Sequence, residues 1–73
     1  MNILVRKLSS KGDTPTLVEG DKEVVATLAE LLALPHHLVA VEGEVVKTVD
    51  EALARIGALA EAEVILARQV AGG

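Results

Sequence analysis

The sequence predicts a small α+β domain in which one amphipathic helix packs against several short strands. Three observations predict it. Leu, Val and Ala each occur eleven times, beside three Ile and no Phe, Tyr or Trp, so helix formers and β-branched strand formers are both abundant. One stretch, residues 21–34, carries apolar side chains at helical spacing. The other apolar runs are short and separated by Gly, Pro, Asp and Ser, the punctuation of strands and turns.

Residues 2–8 open with Ile3-Leu4-Val5, apolar on both alternating faces. This pattern predicts a strand inside a sheet and not at its edge. Ser9 to Asp13 is a turn cluster. Residues 14–19 read as a short, polar second strand. Pro15 places it at an edge, because proline cannot donate a ladder hydrogen bond. The helix follows over 21–34, with Asp21 or Gly20 as N-cap and an apolar stripe of Val24, Leu28, Leu31 and Leu32 widened by Val25 and Ala29. Pro35 ends it and disfavours helical geometry at Leu34.

Residues 37–42 predict a third strand, Gly43 a tight turn, and 45–48 a fourth strand returning antiparallel. Within 49–59, Asp50 would cap a short helix carrying Leu53 and Ile56, and Gly57 would stop it. Residues 62–69 form the last strand, with Val64-Ile65-Leu66-Ala67 apolar on both faces and therefore central. Buried first and last strands are expected side by side, and the helix must cover one sheet face to bury its stripe.

At 73 residues with no linker or repeat, one domain over 1–73 is expected, with 70–73 as an exposed, flexible C-terminal tail. A chain of this size buries only roughly 60–65% of its unfolded surface. With no cysteine it has neither a disulfide staple nor a thiol nucleophile. Eleven acidic against seven basic residues give a net charge of −4. That balance, without aromatics for base stacking, argues against a direct nucleic-acid partner. No run of about 18 apolar residues is present for a membrane span. Residues 1–8 carry Arg6 and Lys7 and lack the apolar core of a signal peptide. The expected location is the cytoplasm.

The chemistry of the chain concentrates at Val70-Ala71-Gly72-Gly73. Without Cβ atoms, two glycines make the slimmest possible arm, one able to enter a narrow channel and present an unhindered α-carboxylate. A frayed end is the competing reading. At roughly 7% average glycine content, a terminal Gly-Gly arises by chance in only about 0.5% of chains. The remaining constellations are weaker. His36 and His37 are adjacent, with no cysteine or third histidine to complete a metal site, and read as an exposed loop pair. Glu42-x-Glu44 and Asp50-Glu51 have no flanking nucleophile or oxyanion donor and read as solvated surface. Ile65 and Ala67 would lie in an apolar patch on the uncovered sheet face, unless residues 49–59 cover it.

Three stretches carry a family resemblance: Lys22 to Leu34 followed by Pro35; Leu38-Val39-Ala40-Val41-Glu42-Gly43-Glu44; and Val64 to Gly73, reading VILARQVAGG. Over residues 20–73 the chain resembles the ubiquitin-like β-grasp sulfur carriers and small modifiers, the group of ThiS, MoaD, TtuB and the small archaeal modifier proteins. It departs from their pattern where Leu59-Ala60-Glu61-Ala62-Glu63 replaces the Gly-Asp turn common before the last strand. The resemblance implies a mixed sheet of four to five strands packed by one main helix.

It also implies a carrier that is a protein cosubstrate and not an enzyme. A ubiquitin-activating-type enzyme would adenylate the Gly73 carboxylate with ATP, with Gly72 giving the approach, and the carrier itself would bind no cofactor and no metal. A persulfide protein would then supply sulfur to form a thiocarboxylate. That sulfur would pass to an enzyme of thiamine, molybdopterin or thiolated-tRNA synthesis, or a lysine amine would attack the activated carbonyl instead. The partner-binding residues would be Arg68, Val70 and Ala71 beside the tail, with Ile65 and Leu66 on the sheet. The alternative function is a non-catalytic interaction module with an inert tail, docking through the sheet around Ile65 and Leu66.

Overall fold

The computed structural model describes residues 1–8 and 15–68. In chain order these form β1 (Asn2–Lys7), β2 (Thr16–Glu19), α1 (Asp21–Ala33), β3 (His37–Val41), β4 (Glu44–Val46), α2 (Val49–Ile56) and β5 (Glu61–Arg68). The strands make one mixed sheet in the order β2-β1-β5-β3-β4. β1 and β5 run parallel, with Val5 opposite Val64. β2 is antiparallel to β1, β3 to β5 and β4 to β3. The strand apolar on both faces at each end of the sequence is thus an inner strand, and the strand that follows Pro15 is an edge. The predicted Ser9 to Asp13 turn lies outside the described residues, as do Thr14 and Gln69 at the ends of their expected strands.

Both helices lie on one side of the sheet, α2 packing against α1, β3 and β4. Between helices and sheet sits one buried cluster: Ile3 and Val5 from β1; Val24, Leu28 and Leu31 from α1; Val39, Val41 and Val46 from the β3–β4 hairpin; Ala52 and Ile56 from α2; and Ala62, Val64 and Leu66 from β5. Fully burying a Val, Leu or Ile side chain contributes about 1.5–3 kcal/mol. A core of branched aliphatics can therefore hold this small chain together without an aromatic residue.

The helix termini refine the sequence reading. Gly20 is the N-cap of α1, at φ 94° and with no side-chain cap bond. That backbone angle suits glycine alone among common residues. Asp21 lies one residue inside, where its carboxylate takes the Met1 ammonium at 2.7 Å. At α2 the cap is Thr48 and not Asp50. The Thr48 hydroxyl accepts from the Glu51 N–H at 3.1 Å, and the Glu51 carboxylate accepts from the Lys47 N–H at 2.9 Å. This is a Thr-x-x-Glu capping arrangement displaced by one residue on its return bond. It also shortens the fourth strand: Thr48 is committed to the cap, so β4 ends at Val46. Leu34 is extended ahead of Pro35, and Gly57 closes α2 at φ 52°.

The β3–β4 turn consists of Glu42 and Gly43, both at positive φ, 51° and 84°. Two consecutive left-handed residues match the twist of the flanking strands. Glu42 is held in that angle by a double tie to β5. Its N–H donates to the Glu63 carbonyl at 2.9 Å, and its carboxylate accepts from the Glu63 N–H at 2.7 Å.

Candidate functional site

β5 carries the residues from which the expected tail departs. It lies between β1 and β3, so its backbone is held on both sides up to Arg68, which pairs with His37 of β3. The Leu8 N–H donates to the Leu66 carbonyl at 3.0 Å, continuing the β1–β5 ladder past the end of β1. The base of the tail is therefore fixed from both neighbours. Val70, Ala71, Gly72 and Gly73, which carry the expected chemistry, lie outside the described residues. Arg68 is exposed at the end of β5.

Side chains of a strand alternate between faces, and β5 follows this strictly. Ala62, Val64 and Leu66 face the helices and are buried, while Glu63, Ile65 and Ala67 face the other side and are half-buried. This corrects the expected docking pair. Leu66 is only 5% exposed and belongs to the core, so it offers no surface to a partner. Adjacent strand residues cannot share a face, and of the two only Ile65 is on the uncovered side.

That uncovered side is the face opposite the helices. The register places Leu17 beside Leu4, and Ile65 beside Ala40, which in turn pairs with Val45. Leu38 and Ala67 form a second pair on the same side. Leu17, Leu38 and Val45 are 48%, 40% and 56% exposed. α2 covers none of these residues, because it packs beside α1 on the helix side. Near the middle, the Arg6 guanidinium lies 3.4 Å from the Glu63 carboxylate.

Of the other candidates, His37, Glu42, Glu44 and Glu51 have structural partners. His36 sits at φ 60° in the turn before β3. His37 Nδ1 lies 2.7 Å from the Pro35 carbonyl. A carbonyl can only accept, so that nitrogen carries the proton and donates. Glu42 is tied to Glu63 as described, and Glu44 pairs with Arg55 at 2.9 Å. Glu51 completes the α2 cap, and Asp50 lies in the first helical turn, where a negative charge suits the helix dipole. Among the described residues, no three His, Cys, Asp or Glu side chains gather in a metal-binding group. No described helix is long and apolar enough to cross a membrane.

Sequence reasoning missed the Glu42–Glu63 tie and the Arg6–Glu63 pair, both set by strand register, for which the sequence has no local signal. It also missed Thr48 as a cap, although the Thr48-x-x-Glu51 spacing was there to be read. No family model matches the chain, and no curated protein or solved structure matches it.

Proposed function

We propose that this chain is a ubiquitin-like β-grasp sulfur carrier, acting in the cytoplasm as one domain and activated at the carboxyl group of Gly73. One observation carries the reading: the sheet order β2-β1-β5-β3-β4, with β1 and β5 parallel, joined in sequence to a Gly72-Gly73 end five residues beyond the innermost strand. The order suits a domain that projects a slim arm from a backbone held on both sides.

In the proposed reaction, the Gly73 carboxylate attacks the α-phosphorus of ATP on a partner enzyme and pyrophosphate leaves. The resulting acyl adenylate is a mixed anhydride whose leaving group is AMP. A persulfide sulfur of another protein attacks the carbonyl and expels AMP. A thiol then cleaves the S–S bond, leaving a Gly73 thiocarboxylate and a disulfide. The thiocarboxylate donates sulfur to a biosynthetic enzyme for thiamine, molybdopterin or thiolated tRNA. A lysine amine attacking the same adenylate would instead give an isopeptide bond. Glycine at both terminal positions leaves the carbonyl open to either nucleophile.

Intact-mass spectrometry tests the reading. With a cognate activating enzyme, ATP and a sulfur donor, the chain should gain the mass difference between sulfur and oxygen. A variant carrying one extra residue after Gly73 should gain nothing. An unchanged mass in the presence of an activator proven competent on its own carrier would reject the proposal. A second reading, an interaction module with an inert tail, is favoured by the apolar uncovered sheet face. Under that reading, deleting Gly73 would leave partner capture intact while Ile65→Lys would abolish it.

A further inference from the structure

Between α1 and the β1–β2 side of the sheet runs a groove of about 220 Å³. Strand alternation and helical spacing build it together. Val5 and Lys7 lie on the helix side of β1, and the register sets Thr16 opposite Val5 and Val18 opposite the buried Ile3 on that same side. Thr27, Glu30 and Leu31 stand three and four residues apart on α1 and share one helix face. The floor of the groove is apolar: Val5 and Leu31 are buried, and Val18 packs partly against the core. Its polar lining comes from Thr16, Thr27, Lys7 and Glu30.

Lys7 and Glu30 are the informative pair. Their opposite charges line one small groove, yet they form no ion pair with each other. Among the described residues, neither side chain has a hydrogen-bond or ion-pair partner. By contrast, Glu42, Glu44, Glu51 and Arg55 each have one.

From this arrangement we infer that the groove binds a small zwitterion, an α-amino acid with a short apolar side chain. The Lys7 ammonium takes its carboxylate, and the Glu30 carboxylate takes its α-ammonium. The apolar side chain lies on Val5, Val18 and Leu31. The Thr16 and Thr27 hydroxyls, which can donate or accept, meet the remaining polar atoms. A simple anion would be repelled by Glu30 and a simple cation by Lys7, so only a ligand carrying both charges answers both. The volume falls below the roughly 300–1,000 Å³ of sites for drug-sized molecules, which restricts the ligand to a short side chain. A peptide strand laid along β2 fits less well, because Pro15 removes a backbone donor at the start of that edge. Lys7 and Glu30 are both exposed. Water therefore screens both contacts, and the expected dissociation constant is about 1 mM. The inference does not depend on the tail chemistry.

An amide chemical-shift titration with L-leucine tests it. The amides of Thr16, Val18, Thr27 and Glu30 should shift together and approach saturation at about 20 mM ligand, as for a solvated site. Leucinamide lacks the carboxylate and 4-methylpentanoate lacks the ammonium. Each should bind at least about tenfold more weakly, the loss of one charged hydrogen bond. Lys7→Gln should lower leucine to the level of leucinamide, and Glu30→Gln should lower it to that of 4-methylpentanoate. Thr27→Leu puts a good helix former into the groove and should abolish binding with unchanged circular dichroism. Should that variant fold poorly, the two exposed Gln variants supply the reading. The absence of a saturable shift with leucine would overturn the inference. So would leucinamide or 4-methylpentanoate binding as tightly as leucine, or leucine binding unaffected by Lys7→Gln and Glu30→Gln.

Discussion

Ile65 and Leu66 are neighbours in the chain on opposite sides of the sheet, and the same substitution should separate them. Leu66→Lys buries a charge in the core opposite Val39 and should lose several kcal/mol, as a large loss of core packing with an unpaired charge does. Ile65→Lys leaves the charge at the uncovered face, and its unfolding midpoint in urea should stay close to wild type. Leu28 is fully buried under the sheet, so Leu28→Ala should cost about 2–5 kcal/mol, read from the same titration. Gly43 makes a different point. At φ 84° a Cβ would meet nothing within 4 Å, so Gly43→Ala should cost only the backbone penalty of a left-handed residue, about 1–2 kcal/mol. A loss much above that would show that the turn carries more than its backbone angle.

Among the elements, α2 depends most on its ends. It has eight residues, fewer than an isolated helix needs to persist in water. Its start is held by Thr48 and Glu51, its dipole is complemented by Asp50, and Arg55 pairs with Glu44 across to β4. Thr48→Ala should cost about 0.5–2 kcal/mol, while Thr48→Ser keeps the hydroxyl and most of the stability. Equal losses for both would show that packing and not the cap controls the helix. By contrast, α1 contributes through its stripe of Val24, Leu28 and Leu31, and this was plain from spacing alone. The alanine-rich stretch from Val49 was less legible, because few of its residues distinguish helix from loop until Ala52 and Ile56 find the core.

For the whole molecule, the buried core among the described residues runs from Ile3 to Leu66. Deleting Gly73 should therefore leave thermal unfolding unchanged while removing sulfur transfer under the proposed function. A deletion that lowered the melting temperature would tie the tail to the fold. The rigid part and the reactive part of the proposed carrier are separable in this sense. Its two faces are likewise distinct: one is filled by helices, and the other leaves Leu17, Leu38 and Val45 exposed around the Arg6–Glu63 pair.

How much of this was legible follows from the range of the forces involved. Strand and helix positions depend on side-chain periodicity, Pro35 and the glycines, which act within a few residues. The sequence by itself therefore determined five strands, the main helix, the Gly43 turn, the edge position after Pro15 and the inner positions of β1 and β5. Strand order and register depend on contacts between residues far apart in the chain. Only the tertiary structure decided that Leu66 is core while Ile65 is not, that Glu42 locks onto Glu63, and that α2 packs beside α1. It also placed the Arg6–Glu63 pair on the uncovered face, between Leu4 and Ile65. Charge and apolar surface become a site only when folding places them side by side, and no local pattern records that placement.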